Sequence, residues 1–282
     1  MIRAEHGMSR RLPRLLGAAL LLAAAAPALA QRVVTLGGAI TEIVYALGAD
    51  DKLVGTDASS QYPAATAALP KVGYYRDFSI EGVASLRPDL VIASDQAGPP
   101  NAMAQLRQLV PRVIVLPAAP TLEALLQRID GVAAALGRLV DGTVLAARIQ
   151  EEVKRVGRAP AGRRVLLVSS RGGRLEAAGS ETAADHMLRL AGASNVMAGE
   201  RGYKPISGES AAALRPDVIV TTTMSVAALG GLDAFITQPG IAVTPAGRAK
   251  RVVVMDDLLL LGFGPRLPEA LRQLQNGIAA AP

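Results

Sequence analysis

The chain says nearly the same thing twice, and this limits the folds open to it more than any other feature. Ser79-Ile80-Glu81, Leu86-Arg87-Pro88-Asp89 and Leu90-Val91-Ile92 return as Ser207-Gly208-Glu209, Leu214-Arg215-Pro216-Asp217 and Val218-Ile219-Val220 at identical spacing. Gly73-Tyr74 precedes the first copy and Gly202-Tyr203 the second, with a one-residue slip. The correspondence extends outward. Arg32-Val33-Val34-Thr35-Leu36, a glycine pair and a helix-like stretch ending at Leu47-Gly48-Ala49 open the first half. Arg164-Val165-Leu166-Leu167-Val168, a glycine pair and a stretch from Thr182 to Ala191-Gly192-Ala193 open the second. Third strands are expected at Arg112–Leu116 and Arg251–Met255. An internal repeat of this kind predicts two copies of one folding unit.

Each half reads strand, helix, strand, helix, strand, helix. The strands are continuous apolar runs without alternation, as in parallel sheets covered on both faces. The residue before a proline is pushed out of helical geometry, so Arg87-Pro88-Asp89 and Arg215-Pro216-Asp217 predict turns from a short helix into a buried strand. Gly48 and Gly192 fit helix C-termini. Between the halves, Val140, Val144, Ala147, Ile149, Val153 and Val156 give a helical apolar stripe, with Arg148/Glu152 and Glu151/Arg155 as charge pairs on the polar side. The expected fold is therefore α/β: two parallel-sheet lobes joined by a single long helix, with a ligand cleft between them. The expected boundaries are an export segment at 1–30, an N-terminal lobe at 31–137, the connecting helix at 138–158 and a C-terminal lobe at 159–282.

The export segment rests on Arg10, Arg11 and Arg14, the apolar run Leu15–Ala25 and the small residues ending at Ala30. This is the order of a cleavable secretory signal. Sec export fits it, and Ser9-Arg10-Arg11 leaves a twin-arginine route open. The sequence contains no cysteine, which removes disulfides, thiolate catalysis and a lipid-bearing cysteine together. Residence in a periplasm without a lipid anchor is the expectation. The formal charge is +6, of which a net three positive charges precede Gln31. The remainder is too weakly basic for a nucleic-acid binder and tolerates a small anionic ligand.

Open parallel sheets bind ligands beyond the C-terminal ends of their strands, so the loops after Leu36, Ile92, Leu116, Val168, Val220 and Met255 should line the cleft. There the residues become diagnostic. Val72-Gly73-Tyr74-Tyr75-Arg76, then Ser79-x-Glu81 and Leu86-x-Pro88-Asp89-Leu90-Val91, resemble the haem-carrying periplasmic binding proteins of Gram-negative bacteria. Ala97-Gly98-Pro99-Pro100, Thr244-Pro245-Ala246-Gly247 and Leu260-Leu261-Gly262-Phe263-Gly264 fit the same branch. The resemblance implies that Tyr74 is an axial ligand to haem iron, a role for which a phenolate is suited. Arg76 is the nearby cation that would favour the phenolate or meet a haem propionate. Tyr75 is either a second face against the porphyrin or part of the lobe's own wall. Across the cleft, Arg171 stands where some relatives carry histidine and is expected to meet a propionate. Tyr203 is a wall candidate, and Met224 a candidate contact to the ring or iron. His186 lies inside a helical stretch and is assigned a structural role. Glu81 and Glu209 are implied to dock on the basic pockets of a membrane permease; both also suit the first turn of a helix capped by Ser79 or Ser207.

The resemblance implies a monomeric carrier that delivers haem, as cargo rather than as a catalytic cofactor, to an inner-membrane ABC permease and its ATPase. Its haem would come indirectly from an outer-membrane receptor. Two alternatives stay open. The same fold carries cobalamin or ferric siderophores, although a chain with no tryptophan, three phenylalanines and five tyrosines is poor in stacking groups. An exported enzyme is the other, but a single histidine after Ala30 and no Gly-x-Ser-x-Gly elbow leave little to build with.

Overall fold

The computed structural model describes residues 31–157 and 162–280, with the Arg171 side chain outside that description. The expected export segment also lies outside it. The first lobe runs β1 (Val33–Leu36), α1 (Gly38–Ala46), β2 (Leu53–Thr56), β3 (Gly73–Tyr74), β4 (Asp77–Phe78), α2 (Ile80–Ser85), β5 (Leu90–Ser94), α3 (Pro100–Leu109), β6 (Arg112–Leu116) and α4 (Leu122–Leu136). One long helix, α5 (Leu139–Val156), leads to the second lobe. That lobe holds β7 (Arg164–Arg171), β8 (Arg174–Ala178), α6 (Ala183–Ala191), β9 (Ser194–Asn195), β10 (Tyr203–Pro205), α7 (Gly208–Leu214), β11 (Val218–Thr222) and α8 (Thr223–Ala228). Three short helices follow, α9 (Leu232–Ile236), α10 (Pro239–Ala242) and α11 (Pro245–Arg248), then β12 (Val252–Met255), α12 (Asp257–Leu261) and α13 (Leu267–Ala280).

The first sheet has the order β2-β1-β5-β6 and is parallel throughout. The second keeps a parallel core, with β11 between β7 and β12 and β9 beside β7. It also departs from the expected pattern. Gly172-Gly173 does not open a helix as Gly37-Gly38 does; it turns β7 into the antiparallel strand β8, which in turn pairs with β10. The central strands β1, β5 and β11 are fully buried, as strands covered on both faces must be. The third strand of each copy, β6 or β12, is a sheet edge and is only partly covered.

The repeat has a physical content that the structure makes explicit. The Asp89 carboxylate accepts from the Arg32 backbone N–H at 2.9 Å while the Arg32 guanidinium donates to the Leu86 carbonyl at 2.8 Å. In the second copy Asp217 accepts from the Arg164 N–H at 2.9 Å and Arg164 donates to the Leu214 carbonyl at 2.7 Å. The arginine thus satisfies a carbonyl left open at a helix C-terminus, and the aspartate ties strand to strand. Arg87 and Arg215 leave the helix as expected, but into left-handed geometry, both at φ 45°. Ser79 and Ser207 cap α2 and α7, accepting from the backbone N–H groups of Gly82 and Ser210.

One core passes through both lobes. Leu90, Ile92 and Val33 join it from the first sheet, Leu145 and Ile149 from α5, and Val165, Leu167 and Leu274 from the second lobe. Each lobe has a smaller core on its other face, around Val72, Phe78 and Leu106 in the first and Phe235, Ile241 and Leu166 in the second. The face of α5 that reaches the shared core is Gly142, Leu145 and Ile149, with Val153 and Val156 packed alongside. Val140 and Val144, placed on the apolar stripe by sequence, are instead 77% and 64% exposed. The reason is register: the run Gly142-Leu145-Ile149 follows the i, i+3/i+4 spacing toward α4, and Val140 and Val144 fall outside it. The charge pairs also differ from expectation. Glu151 pairs with Lys154 at 2.7 Å, and Glu152 reaches Arg272 of α13 at 3.4 Å. No helix among the described residues is long and apolar enough to cross a membrane.

Candidate functional site

Residues that follow β1 and β12 meet across the two lobes, and buried polar side chains cross between them. Arg266, just before α13, grips Glu42 of α1 with both carboxylate oxygens engaged, Nη2 to Oε1 at 2.5 Å and Nε to Oε2 at 3.1 Å. Glu42 is 2% exposed and Arg266 15%. Asp256 stands 3.9 Å from the same guanidinium, and the Tyr62 ring lies beneath it at 3.6 Å. Arg128 of α4, buried, donates across to the Phe263 carbonyl at 2.5 Å and within its lobe to the Pro117 carbonyl at 2.8 Å. Burial pulls the Arg128 guanidinium down to about 10, against the pull of Asp95. Burial raises the Glu42 carboxyl above its ordinary value, outweighing the Arg266 bond and charge, which act to lower it. Gly264 lets this closure happen, since a Cβ there would stand 2.8 Å from Glu42 Oε2. Glu42, Arg266 and Arg128 were not singled out by sequence. The available signal was a charged residue on the apolar face of each helix, Glu42 in α1 and Arg128 in α4.

Tyr74 stands at the tip of a small hairpin. Strands β3 and β4 pair Gly73 with Phe78 and Tyr74 with Asp77, leaving Tyr75-Arg76 as the turn. Phe78 and Val72 anchor the base in the lobe's smaller core. The Gly73 carbonyl accepts from the Ala58 N–H at 2.7 Å, and the Val72 N–H donates to the Thr56 carbonyl at 3.0 Å. Gly73 sits at φ 96°, where a Cβ would come within 3.1 Å of the Asp77 carbonyl oxygen. Only glycine takes that conformation without strain, which accounts for the glycine of Gly-Tyr-x-Arg. The result is a tyrosine 45% exposed on a rigidly held support.

Tyr75 is partly buried against that core. Its ring meets Tyr74 edge to face at 4.7 Å between centroids, and the Arg76 guanidinium lies over it at 5.0 Å. Burial pushes the Tyr75 phenol well above the usual range; the neighbouring Tyr74 oxygen adds to this and Arg76 opposes it. Of the two roles open to Tyr75, its packing against this core fits the lobe's own wall. Arg76 also donates to the Gln96 side-chain oxygen. Gln96 was not singled out by sequence, although it stands at the repeat position that Met224 fills in the other lobe.

The second lobe presents a different set. Met224, 58% exposed, opens α8 just beyond β11. Its backbone N–H donates to Asp257 at 2.9 Å, and Thr223 donates to the same oxygen at 3.0 Å. Tyr203 does not sit on a hairpin tip like its repeat partner. It belongs to β10, opposite Ala178, and packs partly buried against the shared core. The Arg171 backbone ends β7 opposite Arg174; its side chain lies outside the described residues. His186 lies within α6, its N–H bonded to the Thr182 carbonyl at 3.1 Å. Glu81 and Glu209 are exposed in the first turns of α2 and α7, at matching places in the repeat.

Residues 33–259 match the family model described as periplasmic binding protein. The chain is 42% identical to the periplasmic heme-binding protein BhuT, solved in complex with two hemes, at a TM-score of 0.83 over 89% of this chain and 98% of that one. It is 40% identical to the periplasmic heme-binding protein RhuT from Roseiflexus sp. RS-1 in apo form, at a TM-score of 0.84 over 89% and 99%. Among curated relatives, the uncharacterized ABC transporter substrate-binding lipoprotein YvrC of Bacillus subtilis (strain 168) is 29% identical over 257 residues, covering 88% of this chain and 80% of that one. A family model spanning both sheets, the repeat and the long helix leaves one conclusion: the chain belongs to the periplasmic binding protein family.

Proposed function

We propose that this protein captures haem in the cleft between its lobes and delivers it to the permease and ATPase of an inner-membrane ABC importer. The observation that carries the reading is the presentation of Tyr74: an exposed phenol at the tip of a hairpin whose glycine, anchors and adjoining Arg76 are all fixed. The 42% and 40% identities to heme-binding proteins support it. A phenolate is a hard anionic donor suited to ferric haem. Arg76 supplies a positive charge that favours an oxyanion close by. Tyr75 packs against the lobe's core and meets Tyr74 edge to face, which leaves Tyr74 as the exposed phenol. The cargo iron is thus bound through Tyr74, with Met224 and Arg171 as the opposing contacts and Tyr203 supporting the wall behind them.

No catalytic step is assigned; the haem leaves as it arrived. Glu81 and Glu209 serve as the two docking charges for the permease, one per lobe, because they are exposed and equivalent. The protein works as a monomer in the periplasm, exported by a segment cleaved after Ala30 and without a lipid anchor, its haem supplied indirectly by an outer-membrane receptor. The test is a haemin titration of the mature protein followed by absorption spectroscopy, beside Tyr74→Ala. Saturable binding with a ferric tyrosinate spectrum that is lost or weakened in the variant is expected. An unchanged spectrum in Tyr74→Ala would remove Tyr74 from the iron. Absence of specific binding by the wild type would leave the importer and move the cargo to cobalamin or a siderophore.

A further inference from the structure

We infer that Gln96 is a positioning residue for cargo binding: it holds the Arg76 guanidinium over the Tyr75 ring, which itself adjoins Tyr74, through a neutral acceptor, so the cation is fixed in place with its charge unspent. The inference rests on the reading that Tyr74 meets the haem.

Two observations on separate groups carry it. The loop after β5 grips the tyrosine hairpin at two points, with the Gly98 N–H on the Tyr75 carbonyl at 3.0 Å and the Gln96 side-chain oxygen on Arg76. The loop is itself fixed. The Gln96 N–H donates to Ser94 Oγ at 3.1 Å, the Ala97 N–H to the Ser94 carbonyl at 2.9 Å, and Asp95 bonds the end of β6 through its own N–H to the Leu116 carbonyl at 2.9 Å and its carboxylate to the Ala118 N–H at 3.1 Å. Arg76 is exposed, so without a partner its long side chain would sample many rotamers and present its charge to the cleft only part of the time. The Tyr75 ring at 5.0 Å and the Gln96 amide together restrict it.

The chemistry of the acceptor matters. A carboxylate at position 96 would hold the guanidinium more strongly, through a charge-assisted bond, but would cancel its charge toward any oxyanion in the cleft. An amide accepts the hydrogen bond and carries no net charge. In the second lobe the equivalent position is Met224, which carries no amide, and which lies two residues beyond β11 as Gln96 lies two beyond β5. Among the described residues the device is seen on the tyrosine side. The oxyanion it serves is either the iron-bound phenolate or a porphyrin carboxylate.

The experiment compares haemin binding to the full mature protein and to Gln96→Met and Gln96→Glu, with thermal midpoints recorded for each. Both variants should bind about two- to tenfold more weakly, the range for releasing one rotamer-rich side chain, with thermal midpoints unchanged. Gln96→Glu should lose at least as much as Gln96→Met even though it keeps an acceptor. Repeating the titration with the haem dimethyl ester, which has no free carboxylates, identifies the oxyanion. A difference that persists assigns the charge to the phenolate, and one that vanishes assigns it to a propionate. Gln96→Glu binding as tightly as wild type would overturn the neutral-acceptor argument, and Gln96→Met binding as tightly would overturn the positioning role. A wild type that binds no haem would sink the proposed function itself, an outcome distinct from either.

Discussion

Arg266→Met removes the cation from a buried ion pair that joins the lobes. Glu42, 2% exposed, is held at both oxygens by a guanidinium that is itself 15% exposed. Such a pair gains little over an apolar pair of similar volume, because two ions must be taken out of water. Breaking it is another matter, since it strands a charge in the interior, and about 3–5 kcal/mol is the usual cost. At about 2–4 °C per kcal/mol for a protein of this size, the thermal midpoint should fall by roughly 6–20 °C. The shared core makes both lobes unfold together, so a single transition by circular dichroism is the assay. Glu42→Met/Arg266→Met is the decisive partner, because it removes both charges and should recover most of the loss. Glu42 can also take up a proton, so the Arg266→Met penalty should shrink as the pH is lowered. A loss below about 1 kcal/mol in Arg266→Met, or a double variant as unstable as the single, would refute the argument.

Two further outcomes follow from the same geometry. Burial holds the Glu42 pKa above 4.5 in the fold, with Arg266, Asp256 and Glu269 facing it; the folded protein then keeps a proton that the unfolded chain has lost. This contribution to stability is complete below the ordinary carboxylate value and declines as pH rises through the raised one. The difference in unfolding free energy between wild type and Glu42→Gln should therefore slope across that window and flatten above it, and a flat difference throughout would contradict the assignment. The lobes should also move little on binding haem, because a helix and a common core join them. The chain has no cysteine, so spin labels at Leu109→Cys and Leu232→Cys, both exposed sites in different lobes, can report their spacing. A shift of about 1–2 Å is expected, the scale of packed elements sliding rather than hinging, and a change several times larger would overturn the rigid-spar reading.

Much of this was legible in the sequence, and the reason is locality. Each buried strand is a run of consecutive apolar residues, each side-chain cap lies three residues from the N–H it accepts from, and the repeat supplies the frame twice. The Tyr74 hairpin was legible for the same reason, since Gly73, Tyr74 and Arg76 lie within four positions. Legibility ended where a residue's partner is remote or where two patterns compete. Glu42 and Arg266 are 224 positions apart, and nothing near either announces the other. The valines of α5 fit a helical stripe as well as Leu145 and Ile149 do, and only the position of α4 decides which side is covered. Gly172-Gly173 repeats the letters of Gly37-Gly38, but the chain that follows, Arg174–Ala178, can pair back on β7 and does.

The two copies agree and differ in a meaningful way. They share the parts that set the outer frame: the Arg32/Asp89 and Arg164/Asp217 clasps, the Ser79 and Ser207 caps, and the exposed Glu81 and Glu209 in the first turns of α2 and α7. They differ at the cleft. Tyr74 rides a separate, anchored hairpin while Tyr203 is tied into a sheet edge, and Gln96 holds an arginine where Met224 presents a thioether. A two-fold permease would reward the first group, because its two halves need equivalent charges at equivalent places. A haem iron bonded by one phenolate rewards the second, because only one lobe can supply that ligand. A symmetric frame around an asymmetric cleft is what the proposed function requires, with Glu81 and Glu209 meeting a two-fold permease and Tyr74 alone meeting the iron.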